Sequence, residues 1–133
     1  MEGSLQIFFD FRDRWEANWG RILREQTPVM DLEQRHTGEV GQQLAFMLNW
    51  LNWMGLMVEN KWIDKKVLLG SLQPVIVEIL KQTAHQIQSD VDVRGDEWWN
   101  GVLYMAKQRE IRVDIHEEAI KLREQWGWDS PGS

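Results

Sequence analysis

Imidazole groups bind metals and move protons near neutral pH, which puts His36, His85 and His116 first among the residues to weigh. A helical metal site of the His-Glu-x-x-His kind needs two imidazoles four residues apart, on one face. His116-Glu117-Glu118 opens that way, but Ile120 stands where the second ligand belongs. The three histidines lie on separate segments and are expected to be surface or hydrogen-bonded side chains, with no metal. Asp90, Asp92 and Gly95 fit positions 1, 3 and 6 of a calcium loop. Arg94 at position 5 and Gly101 at position 12 remove two of its oxygen ligands, so a turn into a helix capped by Asp96 is the simpler reading. Ser71 follows Gly70 without a Gly-x-Ser-x-Gly elbow, and no glycine-rich phosphate loop occurs. Asp10 with Asp13, and Glu117 with Glu118, are spaced for acid–base work. Their neighbours Arg14 and Lys121 instead make i,i+4 pairs with Asp10 and Glu117 on solvated helix faces. No catalytic residue and no cofactor is expected.

The elements that carry these residues are organised around Leu44 to Val58, where only Asn49 and Asn52 interrupt an apolar run. Leu44, Met47, Leu48, Leu51, Met54 and Val58 recur at helical spacing, and Phe46, Trp50, Trp53 and Met57 form a second stripe beside them. A helix apolar on nearly all sides is expected to be surrounded, by its own protein, by a partner chain or by lipid. The run is shorter than the roughly 20 residues of a membrane span, and Glu59, Asn60 and Lys61 close it, so a core helix is expected and no membrane. Asn49 and Asn52, three apart, are either a polar seam or register-setting amides at a helix–helix interface.

Composition narrows the classes. The 133 residues suit one domain, 1–127, with a flexible tail at 128–133. A net charge of −6 argues against direct nucleic-acid binding, which needs clustered Lys and Arg. The chain has no cysteine, which excludes disulfides, thiolate zinc sites and Cys nucleophiles. Met1 to Gln6 lacks a basic region followed by an apolar one, so a cytoplasmic protein is expected. Nine tryptophans are more than one small core readily hides, and some are expected at an interface or in a pocket.

Taken in order, the chain predicts an all-α fold of five or six helices around a central helix at about residues 42–60. Ser4 is read as the N-cap of a first helix to about Gln26, stopped by Thr27-Pro28. Val29, Met30 and Leu32 are expected to dock on the core, and Thr37 or Gly38 to begin the central helix. Asp64 caps a helix from Lys65, which either stops at Leu69 and restarts at Ser71 or runs on to about Ser89 with a kink near Gly70 forced by Pro74. Ser89 to Gly95 is read as a loop, Asp96 as the cap of a helix to about Arg109, and Ile111 to Ile115 as extended. Asp114 caps the last helix and Gly127 ends it.

Leu48-Asn49-Trp50-Leu51, then Asn60-Lys61-Trp62-Ile63-Asp64, the Leu72 to Ile79 segment and Trp98-Trp99 resemble an uncharacterised, mainly bacterial all-helical family of unknown function. The resemblance covers about the middle half of the chain and implies a helical fold without catalytic residues. The functional expectation is a non-enzymatic interaction module, a complex subunit or regulator that binds a protein partner or itself as a homo-oligomer. A narrower version is a small acidic inhibitor of the kind phages use, with Asp and Glu standing in for phosphates before a basic nucleic-acid-binding complex. Trp98 and Trp99 are the first interface candidates, with Trp15, Trp19 and Trp126. The alternative is a small-molecule binder or enzyme with a pocket walled by Trp50, Trp53, Trp98 and Trp99, its polar groups Asn49, Asn52 and Asp96.

Overall fold

The first helix begins before the residue expected to cap it: α1 spans Glu2–Arg14, which places Ser4 inside its first turn. The structure is a computed structural model that describes residues 2–26 and 38–127. The expectations for Thr27-Pro28, for Val29, Met30 and Leu32, for His36 and Thr37, and for the 128–133 tail lie outside those residues, as does the side chain of Trp126. Past Arg14 the helix continues in wider π turns at Trp15–Trp19 and Ile22–Gln26. There the Gly20 N–H donates to the Trp15 carbonyl, five residues back. A Cβ at Gly20 would stand 3.1 Å from that oxygen and 3.2 Å from the Trp15 ring, so glycine lets the indole fold over its own backbone. Phe11, Trp15, Trp19, Ile22 and Leu23 are all buried.

The central helix α2 spans Gly38–Glu59. Its stripe of Leu44, Met47, Leu48, Leu51, Met54 and Val58 is buried, as the spacing predicts. It ends where the Asn60 side chain donates to the Leu56 carbonyl at 2.8 Å and Lys61 turns left-handed at φ 62°. Helix α3 then runs unbroken over Lys65–Arg94, and the Asp64 carboxylate caps it by accepting from the Lys66 N–H at 2.9 Å. No break occurs at Ser71, and the expected loop at 89–95 is helix until Arg94. Pro74 removes the donor that would meet the Gly70 carbonyl, but both residues are exposed, so water can serve it. Gly95, at φ 91°, makes the actual stop.

A 3-10 turn at Asp96–Trp99 leads into the short α4, Asn100–Ala106, which ends before the expected Arg109. Gly95, not Asp96, holds the capping position of that turn. Ile111, Val113 and Ile115 alternate inward with exposed Arg112 and Asp114, without forming a strand. Helix α5, Ile115–Trp126, is capped by Asp114, which accepts from the Glu117 N–H at 3.0 Å, and closed by Gly127 in the left-handed region. α2 packs on α4, α3 on α5 and the 3-10 turn, and α1 on α2, a compact all-α bundle with no strand among the described residues. No described helix is long and apolar enough to cross a membrane.

One crossing sets the frame. Where α2 meets α4, a Cβ on Gly55 would collide with the Gly101 carbonyl oxygen and lie 2.6 Å from its carbon. A Cβ on Gly101 would collide with the Asn52 carbonyl oxygen and come within 2.9 Å of its side-chain Oδ1. The two backbones touch because neither glycine holds them apart. Within α3, Thr83 to Ile87 is buried on every side of the helix. Thr83 meets that enclosure by donating its hydroxyl to the Ile79 carbonyl at 2.7 Å.

Candidate functional site

The outer face of α2 is where the second apolar stripe ends up. Phe46 is 56% exposed and Trp53 61% exposed, while Trp50 is half-buried between them. With Asn49 they line a concavity of about 410 Å³. Their spacing of three, four and seven residues puts all four on one side of the helix. The chain's own core does not surround α2 on this side: only Met57 of this stripe is buried.

Residues of α1 and of the π turn after it contact the face at Trp50. Arg14 of α1 lies over the Trp50 ring at 5.2 Å and over Trp19 at 5.9 Å. Trp19 meets Trp50 edge to face at 6.3 Å and donates its indole N–H to Gln43 at 3.1 Å. Arg14 therefore serves the indoles, and the expected Asp10–Arg14 pair gives way to Asp10 accepting from Gln6 at 2.8 Å. A guanidinium over an indole contributes about 0.5–1 kcal/mol at an exposed site, enough to bias one ring orientation. Sequence spacing points to Phe46 as the stripe's next member before Trp50; nothing local points to Arg14, which sits on another helix.

Other expected site residues are placed elsewhere. Asn52 turns away from the concavity and its Oδ1 accepts from the Val102 N–H at 3.0 Å, in the first turn of α4. It works as a helix cap supplied by a neighbouring helix and so fixes the register of α2 on α4. Asn52→Ala is expected to cost about 1 kcal/mol in a denaturant titration. A larger loss would be expected only if the Gly55–Gly101 crossing also opened.

Trp15, Trp19 and Trp99 are corrected as interface candidates, because the core takes them: they are 8%, 2% and 5% exposed. Trp99 also donates its indole N–H to Asp90 at 2.9 Å. Trp98 is exposed, with the Arg94 guanidinium 4.3 Å above its ring. Neither Trp98 nor Trp99 lines the α2 concavity, so the pocket expected from four tryptophans is not assembled. Trp62 is also exposed. Arg24 lies over the Trp15 ring at 5.5 Å and forms a two-pronged pair with Glu78 of α3 at 2.8 and 3.0 Å. Those hydrogen bonds, and the carboxylate's charge, hold the Arg24 guanidinium above its usual range.

A second concavity, of about 560 Å³, opens among α3, α4 and the start of α5. Lys107, Arg112 and His116 line it together with Asp96 and Asp114, charges of both signs in one open depression. The Asp114 carboxylate there is already engaged as a cap. Asp90 and Asp92 are helical and engaged, Asp92 accepting from Gln88 at 2.8 Å, and the calcium-loop backbone does not form. His85 is buried in α3. Among the described residues, no three His, Asp or Glu side chains gather as a metal site. Compared with known proteins, the chain matches no family model, no curated protein and no solved structure.

Proposed function

We propose that this chain is a non-enzymatic interaction module that docks a protein on the outer face of α2, as a complex subunit or regulator. The observation that carries the reading is the exposure of Phe46 and Trp53 beside a Trp50 braced by Arg14. Large aromatics on a rigid element, set around a shallow concavity, supply contact area at little entropic cost. Leaving such groups wet forgoes about 1.5–3 kcal/mol each, which a docked partner recovers. The narrower reading, an acidic inhibitor of a basic surface, would call for carboxylates on the contact face. From Val40 to Val58 α2 carries no charged residue, which favours an apolar partner over a basic one.

A ligand-binding reading has one observation in its favour: the 410 Å³ concavity falls within the ordinary range for small-molecule sites. Two measurements separate the readings. Capture from the source cells with the wild-type chain is compared with capture by a Phe46→Asp, Trp53→Asp double variant. Docking on α2 predicts that recovered proteins, including untagged copies of the chain, fall at least about tenfold with the variant. An identical set from both baits would sink the docking reading. A thermal-shift gain of several degrees with a small molecule, lost in the same variant, would replace it with the second.

A further inference from the structure

We infer that the α2 face docks a second copy of this chain, packed antiparallel across a two-fold axis between Asn49 and Trp50. This rests on the docking reading and names its partner. The first argument is charge. Two copies each carrying a net charge of −6 repel, so a self-contact needs a face free of carboxylates. On the outer face of α2 no ionisable side chain occurs from Val40 to Val58, and the charge set beside it is the Arg14 guanidinium of α1 over the Trp50 ring, opposite in sign to the net charge.

The second argument is self-complementarity. A two-fold interface brings each residue opposite its mirror position on the other copy. Reversing α2 about the midpoint of Asn49 and Trp50 sets Phe46 over Trp53 of the second copy, and Trp53 over its Phe46. Asn49 then faces Trp50 of the second copy, an amide carbonyl beside an indole that carries an N–H. Each wide aromatic position meets another, and the polar centre meets a polar group. A parallel arrangement would instead stack Asn49 on Asn49 and bring the same helix ends together.

The third argument lies at the ends of the face, where the charges resume. In the reversed register Glu39 of one copy stands beside the end of α2 of the other, where Lys61 follows in the turn that closes the helix. Both are exposed. The like charge at the same height, Glu59, points about 160° away from Glu39 around the helix, at about 100° per residue. In antiparallel packing, residues on the same side of the seam face one another, so Glu39 avoids Glu59, and the opposite charge at that end of the seam is Lys61, in the turn that closes α2. Two such pairs flank the aromatic centre and select the antiparallel direction.

The chain contains no cysteine, so a single introduced thiol reports one position unambiguously. Light scattering at tens of micromolar is expected to give about twice 15.8 kDa for the wild-type chain and 15.8 kDa for Trp53→Glu. Mild oxidation of Asn49→Cys is expected to yield a covalent dimer, and oxidation of Ser71→Cys, exposed on α3, to yield at least about tenfold less. Glu39→Lys is expected to weaken the dimer, and adding Lys61→Glu to restore it. Circular dichroism of each variant checks that the helices remain. A wild-type monomer overturns the self-pairing. In that case, lysate proteins still lost with Phe46→Asp, Trp53→Asp leave the docking reading standing with another partner. A dimer that survives Trp53→Glu, or that cross-links equally at both thiols, overturns the self-pairing as well.

Discussion

Gly101→Ala is expected to destabilise the protein by about 3 kcal/mol, at the upper end of what overpacking typically costs. The added methyl would meet the backbone of Asn52, its carbonyl carbon 2.9 Å away and its carbonyl oxygen closer still. A flexible side chain can rotate aside; a carbonyl inside a helix cannot move without the helix. Relief requires α2 and α4 to separate, which also lengthens the 3.0 Å bond from the Val102 N–H to Asn52. Gly55→Ala should behave similarly, since its methyl would strike the Gly101 carbonyl. Gly70→Ala is the control with the opposite sign. Nothing lies within 4 Å of a Cβ there, and the residue is inside α3. Removing a mid-helix glycine should stabilise by about 0.5–1 kcal/mol. Denaturant titration of the three variants reads both signs; equal losses at Gly101 and Gly70 would mean that the crossing is not a close one.

Trp99→Ala should cost about 3–5 kcal/mol, while its neighbour Trp98→Ala should cost no more than about 1 kcal/mol. The two indoles meet edge to face at 6.5 Å, yet only Trp99 is enclosed. Truncating it leaves a cavity beside α3 and strands Asp90, whose carboxylate accepts the Trp99 indole N–H at 2.9 Å. Trp98 loses chiefly the stacked Arg94, an exposed contact. Chemical denaturation at fixed ionic strength distinguishes the pair. Comparable losses would mean that Trp98 is also enclosed, as it would be at an interface. The dimer inferred on α2 leaves Trp98 wet, so the comparison also bears on which face associates.

Local chemistry alone was enough to read much of this bundle. Asp64 and Asp114 are caps because a short carboxylate meets N–H groups two or three residues ahead, whatever the rest of the chain does. Gly127 ends α5 because it adopts φ 68° without a Cβ to clash. The inward stripe of α2 follows from 3.6 residues per turn, whereas Ile111, Val113 and Ile115 point inward although Arg112 between them is left-handed at φ 49° and the stretch is not extended. The caps, the glycine stop and the α2 stripe depend on neighbours a few residues apart, so the order of residues specifies them.

The misread boundaries failed where a distant partner or the solvent decided the outcome. Ser89 to Gly95 looked like a loop because polar residues and a glycine cluster there. The helix nevertheless runs to Arg94, and Asp90 within it finds a donor in the Trp99 indole. At Pro74 the sequence leaves a break and a continuous helix both open, and the continuous one forms, since the lost hydrogen bond falls on a wet side of the helix. His85 and Gln86 look like surface residues by type, yet both are buried in α3. The Gln86 amide has no hydrogen-bond partner among the described residues, so the burial is imposed by packing around it.

The candidate site divides in the same way. From the sequence alone α2 has two apolar stripes and two asparagines, all at helical spacing. Which stripe is covered depends on where α4 crosses, and that crossing is set by glycines on separate helices, Gly55 and Gly101, touching backbone to backbone. The same contact draws Asn52 to the Val102 N–H and leaves Asn49 at the surface between Phe46 and Trp53. Periodicity specifies which residues share a face; only the packing of one helix on another decides whether that face meets core or water.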